Sequence, residues 1–171
     1  VWIVAFLQGL DGHLERFFSL DLYCGRGDEV SITTDASIYG FGATLEINSA
    51  IVSYLHGTYC PLDRLMMHLS EPPSSSDQQV LEAFAMLVAL REWAPRMAFA
   101  RCRLRVRADN MATLALVAKM QPHSSRLGPI AREMALDIGR SAYSPSVVQH
   151  LPGIANSCAD SLLRLHDPEK S

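Results

Sequence analysis

From residue 29 onward the first part of the chain alternates apolar and polar residues with the period of a strand. Val30-Ser-Ile-Thr-Thr-Asp35 predicts a strand over about 29–36, Tyr39 to Ile47 a second, and Ala50 to His56 a third. Asn48-Ser49 supplies the tight turn between the last two. Residues 57–77 carry Pro61, Pro72, Pro73 and a serine run and read as a loop, in which Leu62 to Leu69 has the makings of one helical turn. The period then changes. Val80 to Leu90 is an apolar helical stretch that Ser76 or Asp77 begins and Pro95 ends, past Trp93. A fourth strand follows over about 102–108, then helices over about 110–119 and 125–141 separated by Gln121-Pro122. A fifth strand (about 146–151) leads through Pro152-Gly153 to a last helix, about 155–165. A β-β-β-α-β-α-α-β-α order, with a meander followed by βα units, implies a five-stranded mixed sheet with helices packed on it.

Residues 1–28 read as a lead-in or connection segment with an Asp11-Gly12 turn, and residues 29–168 as one domain. The chain opens Val1-Trp2-Ile3, which suggests a domain cut from a longer polypeptide. Hydrophobic residues make up 49% and charged ones 19%, so a folded core is expected rather than disorder. A net charge of -3 gives no basic signature, so affinity for nucleic acid would have to come from bound metals or an attached domain. Cys24, Cys60, Cys102 and Cys158 form no CxxC pair; they read as buried free thiols in a reducing, intracellular compartment. No apolar run approaches membrane-spanning length, so no membrane partner is expected.

Four acids stand in unusual contexts. Asp35 and Asp109 each end a strand, Glu82 lies in the apolar helical stretch, and Asp160 lies in the last helix. Carboxylates in such places are costly unless a cation gathers them. Oxygen donors without a histidine or cysteine cluster suit a hard ion such as magnesium. If strands one and four are parallel neighbours, Asp35 and Asp109 meet at their carboxyl ends, where flanking helices could deliver Glu82 and Asp160. Taken singly, each acid has a structural explanation, as a turn former, a helix cap for Asp109 or a solvated helix position for Asp160. Their coincidence is the argument for a metal site.

The residues around these acids resemble the ribonuclease H domain of retroelement reverse transcriptases. Thr34-Asp35-Ala-Ser-Ile-Tyr-Gly40-Phe-Gly-Ala-Thr-Leu45 is similar to its first strand and hairpin, and Leu81 to Trp93 to its first helix. Arg107-Ala-Asp109-Asn-Met-Ala-Thr-Leu is similar to its fourth strand and following turn. His150-Leu-Pro-Gly153-Ile-Ala-Asn156-Ser-Cys-Ala-Asp160-Ser-Leu-Leu-Arg164 resembles the closing signature HxPGxxNxxADxLSR of gypsy-like and DIRS-like elements. The resemblance implies a ribonuclease H-like fold with helices on both sheet faces. It further implies an endonuclease that cuts the RNA strand of RNA–DNA hybrids during reverse transcription. Asp35, Glu82, Asp109 and Asp160 would then be catalytic ligands of Mg2+ or Mn2+, two ions in all, with an upstream reverse transcriptase domain as partner. Ser37, Tyr39 and Asn110 adjoin these acids and are candidate substrate contacts.

The chain departs from the family pattern at three points. Leu163 replaces the signature serine, Gly153 stands where cellular enzymes carry a loop histidine, and only Lys119 to Ser125 separates the middle helices, leaving no basic protruding helix. Arg101, Arg103, Arg105 and Arg107 share one strand face. That stripe reads either as phosphate contacts or as arginines paired with acids, the second being preferred for Arg101 and Arg103. His56, His68, His123 and His166 show no ligand spacing, and Met66, Met67, Met111, Met120 and Met134 read as core. Glu82 falls between the first two aspartates, unlike the order in DDE transposases, and Asp35-Ala-Ser37 lacks the Asp-x-Glu of DEDD exonucleases. The competing reading of another class is a catalytically inactive scaffold or nucleic-acid-binding domain.

Overall fold

The structure, a computed structural model, describes residues 27–71, 74, 77–97, 102–122, 124–140, 145–152 and 156–168. The lead-in up to residue 26, Arg101 and Gly153 lie outside the described residues. The strands are β1 (Asp28–Ala36), β2 (Phe41–Ile47), β3 (Ala50–Gly57), β4 (Cys102–Ala108) and β5 (Pro145–His150). The helices are α1 (Pro61–Met66), α2 (Gln78–Met97), α3 (Met111–Lys119), α4 (Gly128–Arg140) and α5 (Ser157–Arg164), with a 3-10 turn at Ser125–Leu127. The strand order is β3-β2-β1-β4-β5. β1 is antiparallel to β2 and parallel to β4, and β4 is parallel to β5. The expected five-stranded mixed sheet is present, and strands one and four are the parallel neighbours that the acid cluster required.

Alternation along the strands sorts the two faces. Val30, Ile32, Ala36, Phe41, Ala43, Leu45, Leu104 and Val106 are buried on one face. There Phe41 meets Phe84 of α2 edge-on, with ring centroids 6.2 Å apart. The opposite face carries Ser31, Thr33 and Asp35 of β1 opposite Glu46, Thr44 and Gly42 of β2. α5 packs on that face at Gly42, where an added Cβ would lie 2.5 Å from the Ala159 carbonyl and 2.7 Å from Leu162 Cβ. Helices therefore cover both faces, and a bare residue at 42 is what lets α5 approach the sheet.

Local chemistry explains the boundaries. Asn48 and Ser49 both take positive φ, the left-handed pair that a two-residue hairpin needs. Asn48 secures the turn by accepting from the Glu29 N–H and donating to Asp28. The expected stop at Pro95 is displaced, because α2 continues to Met97. Proline removes one helical bond and crowds the carbonyl four residues back, a distortion that falls here in the last turn, where helix ends vary by a residue or two. The helix cap before α3 is Asn110 rather than Asp109, its Oδ1 accepting from the N–H groups of Ala112 and Thr113. Two other expectations fail in part. Cys60 and Cys158 are free but exposed, not buried. Met66 and Met111 are exposed, whereas Met67 and Met134 are core. Cys60 caps α1 and Met66 ends it, a helix that buries none of its residues, whereas Cys158 and Met111 lie at exposed positions in the first turns of α5 and α3.

Candidate functional site

Asp35 is the penultimate residue of β1. The parallel register pairs Thr33 with Arg107, so two residues further on Asp35 lies level with Asp109, just past the end of β4. The side chain of Gln78 fixes α2 to this end of the sheet, donating to the Ala36 carbonyl at 2.6 Å and to Glu82 Oε1 at 2.9 Å. That anchor holds Glu82, one turn into α2 and 4% exposed, toward the strand ends. On the other face Asn156, also buried, donates from Nδ2 to the Thr34 carbonyl at 3.2 Å and pins the start of α5 beside Asp35. The seat at Gly42 completes the approach of Asp160.

The electrostatics follow from this crowding. Burial pushes the Asp35 carboxyl up to about 7; neighbouring Asp109 and Asp160 raise it further, while the Ala36 N–H and Arg164 act against them. Burial likewise raises Glu82 to about 7, opposed by hydrogen bonds from Gln78 and Asn110 and assisted by Asp109 and Asp35. Glu82 Oε2 and Asp109 Oδ1 are buried without a hydrogen-bond partner, as is Asn156 Oδ1. Asp160 differs, because Arg164 one turn on engages both of its oxygens, Nε to Oδ1 at 2.8 Å and Nη2 to Oδ2 at 2.6 Å. Among the described residues, no three acidic, histidine or cysteine side chains already form a metal-ligating group. Asp35 and Glu82 thus both feel the charge of Asp109, while Asp160 acts on Asp35 but is itself held by an arginine.

The donor set suits a hard divalent ion: carboxylate oxygens, two of them buried and unpartnered, on groups that burial and mutual repulsion hold short of positive charge. Two of the candidate substrate contacts, Ser37 and Asn110, make local side-chain hydrogen bonds. Ser37 turns the chain, its N–H donating to the Gly40 carbonyl and its Oγ accepting from the Tyr39 N–H. Asn110 caps α3 with its oxygen and hydrogen-bonds Glu82 with its side chain. Of the arginine stripe, Arg105 pairs with Glu29 and Arg107 with Glu46, so both are matched to acids on their own face.

Two contributors escaped the sequence reading. Gln78 stands four residues before Glu82, a spacing that places the two side chains on one helix face and could have revealed the contact. Tyr59, buried among Phe41 and Phe84, donates to the Gly40 carbonyl at 3.1 Å and closes the loop after Asp35. Burial raises its hydroxyl pKa, with Arg64 opposing and Glu82 and Asp35 adding to the rise. No sequence pattern marks it.

No known family profile matches the sequence, and no curated protein matches it. Solved structures do. LC11-RNase H1, a protein isolated from compost by a metagenomic approach and solved in complex with RNA/DNA hybrid, is similar at TM-score 0.65 and 15% identity. The match covers 83% of this chain and 99% of that one. RNase H1 from Halobacterium salinarum is similar at TM-score 0.55 and 15% identity, over 78% of this chain and 93% of the other. The N-terminal RNase H domain of a Mycobacterium tuberculosis protein is similar at 0.56 and 11% identity, over 84% and 99%. At these identities the likeness establishes a ribonuclease H-like fold.

Proposed function

We propose that this domain is a metal-dependent endonuclease that hydrolyses the RNA strand of RNA–DNA hybrids, within the polyprotein of a gypsy-like or DIRS-like retroelement. The observation that carries the reading is that Asp35 and Asp109 stand level at the carboxyl ends of β1 and β4, with Glu82 near enough to feel both charges and with buried carboxylate oxygens left unpartnered. Asp35, Glu82, Asp109 and Asp160 would hold two Mg2+ or Mn2+ ions, which when bound activate the attacking water and stabilise the leaving oxygen. The chain's own part is placement. Gln78 and Asn110 orient Glu82, Asn156 and Gly42 seat α5, and Arg164 keeps the Asp160 carboxylate aligned until it is drawn away. Protons held on Asp35 and Glu82 near neutral pH leave when a cation arrives.

The retroelement placement rests on the His150 to Arg164 signature, and the upstream polymerase would supply most of the grip on the hybrid. Little net positive charge leaves the isolated domain a weak, salt-sensitive binder. Ser37, Tyr39 and Asn110 adjoin the acids and remain the proposed substrate contacts.

A second reading, a non-catalytic scaffold, is favoured by two features: Asp160 is engaged by Arg164, and among the described residues no three-ligand group stands ready. Cleavage of an end-labelled RNA–DNA hybrid with and without Mg2+ separates the two. The nuclease reading expects metal-dependent RNA cuts that Asp109→Asn abolishes with the fold intact. Tight binding of single-stranded DNA or protein without any cutting would establish the scaffold.

A further inference from the structure

At the far end of α5 from Asn156, two histidines that stand 110 residues apart in sequence meet at the surface. His56 Nδ1 lies 3.0 Å from His166 Nε2, and the ring centroids are 5.1 Å apart. His56 closes the edge strand β3 opposite Gly42 and therefore points to the α5 face. His166 follows α5 directly, its N–H donating to the Leu163 carbonyl. Its ring has a prepared seat: a Cβ at Gly40 would come within 2.9 Å of His166 Cδ2 and 2.5 Å of the Gly57 carbonyl. The bare residue at 40 thus opens a notch between β2 and β3 that receives the imidazole. Both rings approach through nitrogen atoms rather than carbon edges, and at least one of the facing nitrogens must be a lone-pair acceptor.

We propose that His56 and His166 form a two-imidazole site for a borderline transition-metal ion, Zn2+ or Ni2+, which clasps α5 to the edge of the sheet. Two nitrogens bound to one zinc at about 2.0–2.1 Å stand a little over 3 Å apart, so a modest turn of each exposed ring converts the present contact into a chelate. Water completes the shell, since two protein ligands suffice for an exposed site of modest affinity. Imidazole selects zinc or nickel over magnesium, so Mg2+, which the all-oxygen carboxylate corner suits, leaves the clasp empty. The ion replaces one hydrogen bond between β3 and the end of α5 with two coordinate bonds, and it holds in place the helix that carries Asp160. The clasp stands independently of the nuclease reading.

The test is thermal melting of the metal-free protein with ZnCl2 or NiCl2, compared with MgCl2, whose own effect at the carboxylate corner is independent of the two histidines. The clasp predicts that Zn2+ or Ni2+ raises Tm by several degrees, and that His56→Gln and His166→Gln each lose this shift relative to their own metal-free melts. Glu82→Gln should keep it. Side-chain 15N signals of His56 and His166 should move together on adding Zn2+, with the remaining histidines unaffected. No shift in the native protein, a shift that survives either histidine substitution, or a shift lost in Glu82→Gln would each overturn the proposal.

Discussion

Two carboxylates with almost no solvent contact sit on opposite flanks of the N-terminus of α2, and the protein treats them in opposite ways. Asp77, fully buried, accepts hydrogen bonds from the backbone and side chains of Ser70 and Ser74 and is paired with Arg126, whose guanidinium also holds the His68 carbonyl. Burial alone would raise its pKa, but these partners outweigh it and hold the carboxyl well below the usual range. Glu82, five residues on, is raised to about 7 and keeps one buried oxygen without a partner. Equal burial with unequal satisfaction separates a structural acid from a site acid. The first knot ties the loop after α1 to α2 and to the 3-10 turn; the second corner keeps buried carboxylate oxygens unpartnered, which the proposed cation would satisfy.

The largest expected effect removes the cation from the satisfied pair. Arg126→Met leaves a buried charge with only neutral donors and should cost about 3 kcal/mol in chemical denaturation. A loss near zero would mean that Asp77 is no more tightly held than Glu82. Glu82→Gln should have the opposite sign in metal-free protein at pH 8. Removing a repelled, desolvated charge should stabilise by about 1–2 kcal/mol, discounted from the full shift for partial solvation. Destabilisation by the same measurement would show that Glu82 is a structural acid like Asp77.

The pH dependence sharpens the contrast. Asp35 and Glu82 rise from ordinary values of 3.8 and 4.5 to about 7 in the fold. Below about 4 both folded and unfolded chains hold these protons, and the contribution is fully present. Between about 4 and about 7 the unfolded chain releases them while the fold retains them, so stability falls as pH rises and levels off beyond. The metal-free Tm should therefore drop by several degrees across that window, read by calorimetry, and saturating Mg2+ should flatten the drop. A Tm that rises through the same range would contradict the raised values. The smallest effect belongs to the surface, where Arg91 bridges Glu133 and Asp137 in the open. Arg91→Ala should cost less than about 1 kcal/mol, because exposed pairs are screened and entropically costly to hold.

The strands and the acids at their ends were written locally in the sequence. Strand alternation gave β1 to β3 and their turn, and the strand-end positions of Asp35 and Asp109 became neighbours once β1 and β4 paired in parallel. Contacts between distant segments were the illegible part. Nothing local relates Arg107 to Glu46, Arg126 to Asp77 or His56 to His166, because each pair is brought together by the sheet order and helix seating. The arginine stripe had the right period but no visible partners. Local competition misled in smaller ways: Asn110 took the cap that Asp109 could have filled, and the α1 thiol and methionine stayed exposed because a six-residue helix buried nothing.

The central claim is that the Asp35, Glu82 and Asp109 corner is a cation site. Its most direct test is a calorimetric titration of metal-free protein with Mg2+ or Mn2+ at pH 7, repeated in buffers of different ionisation enthalpy. The account predicts saturable binding that releases about one proton per chain from Asp35 and Glu82 together, and that is lost in Asp109→Asn but kept in Arg91→Ala. Absence of binding, or binding without proton release that persists in Asp109→Asn, would contradict it.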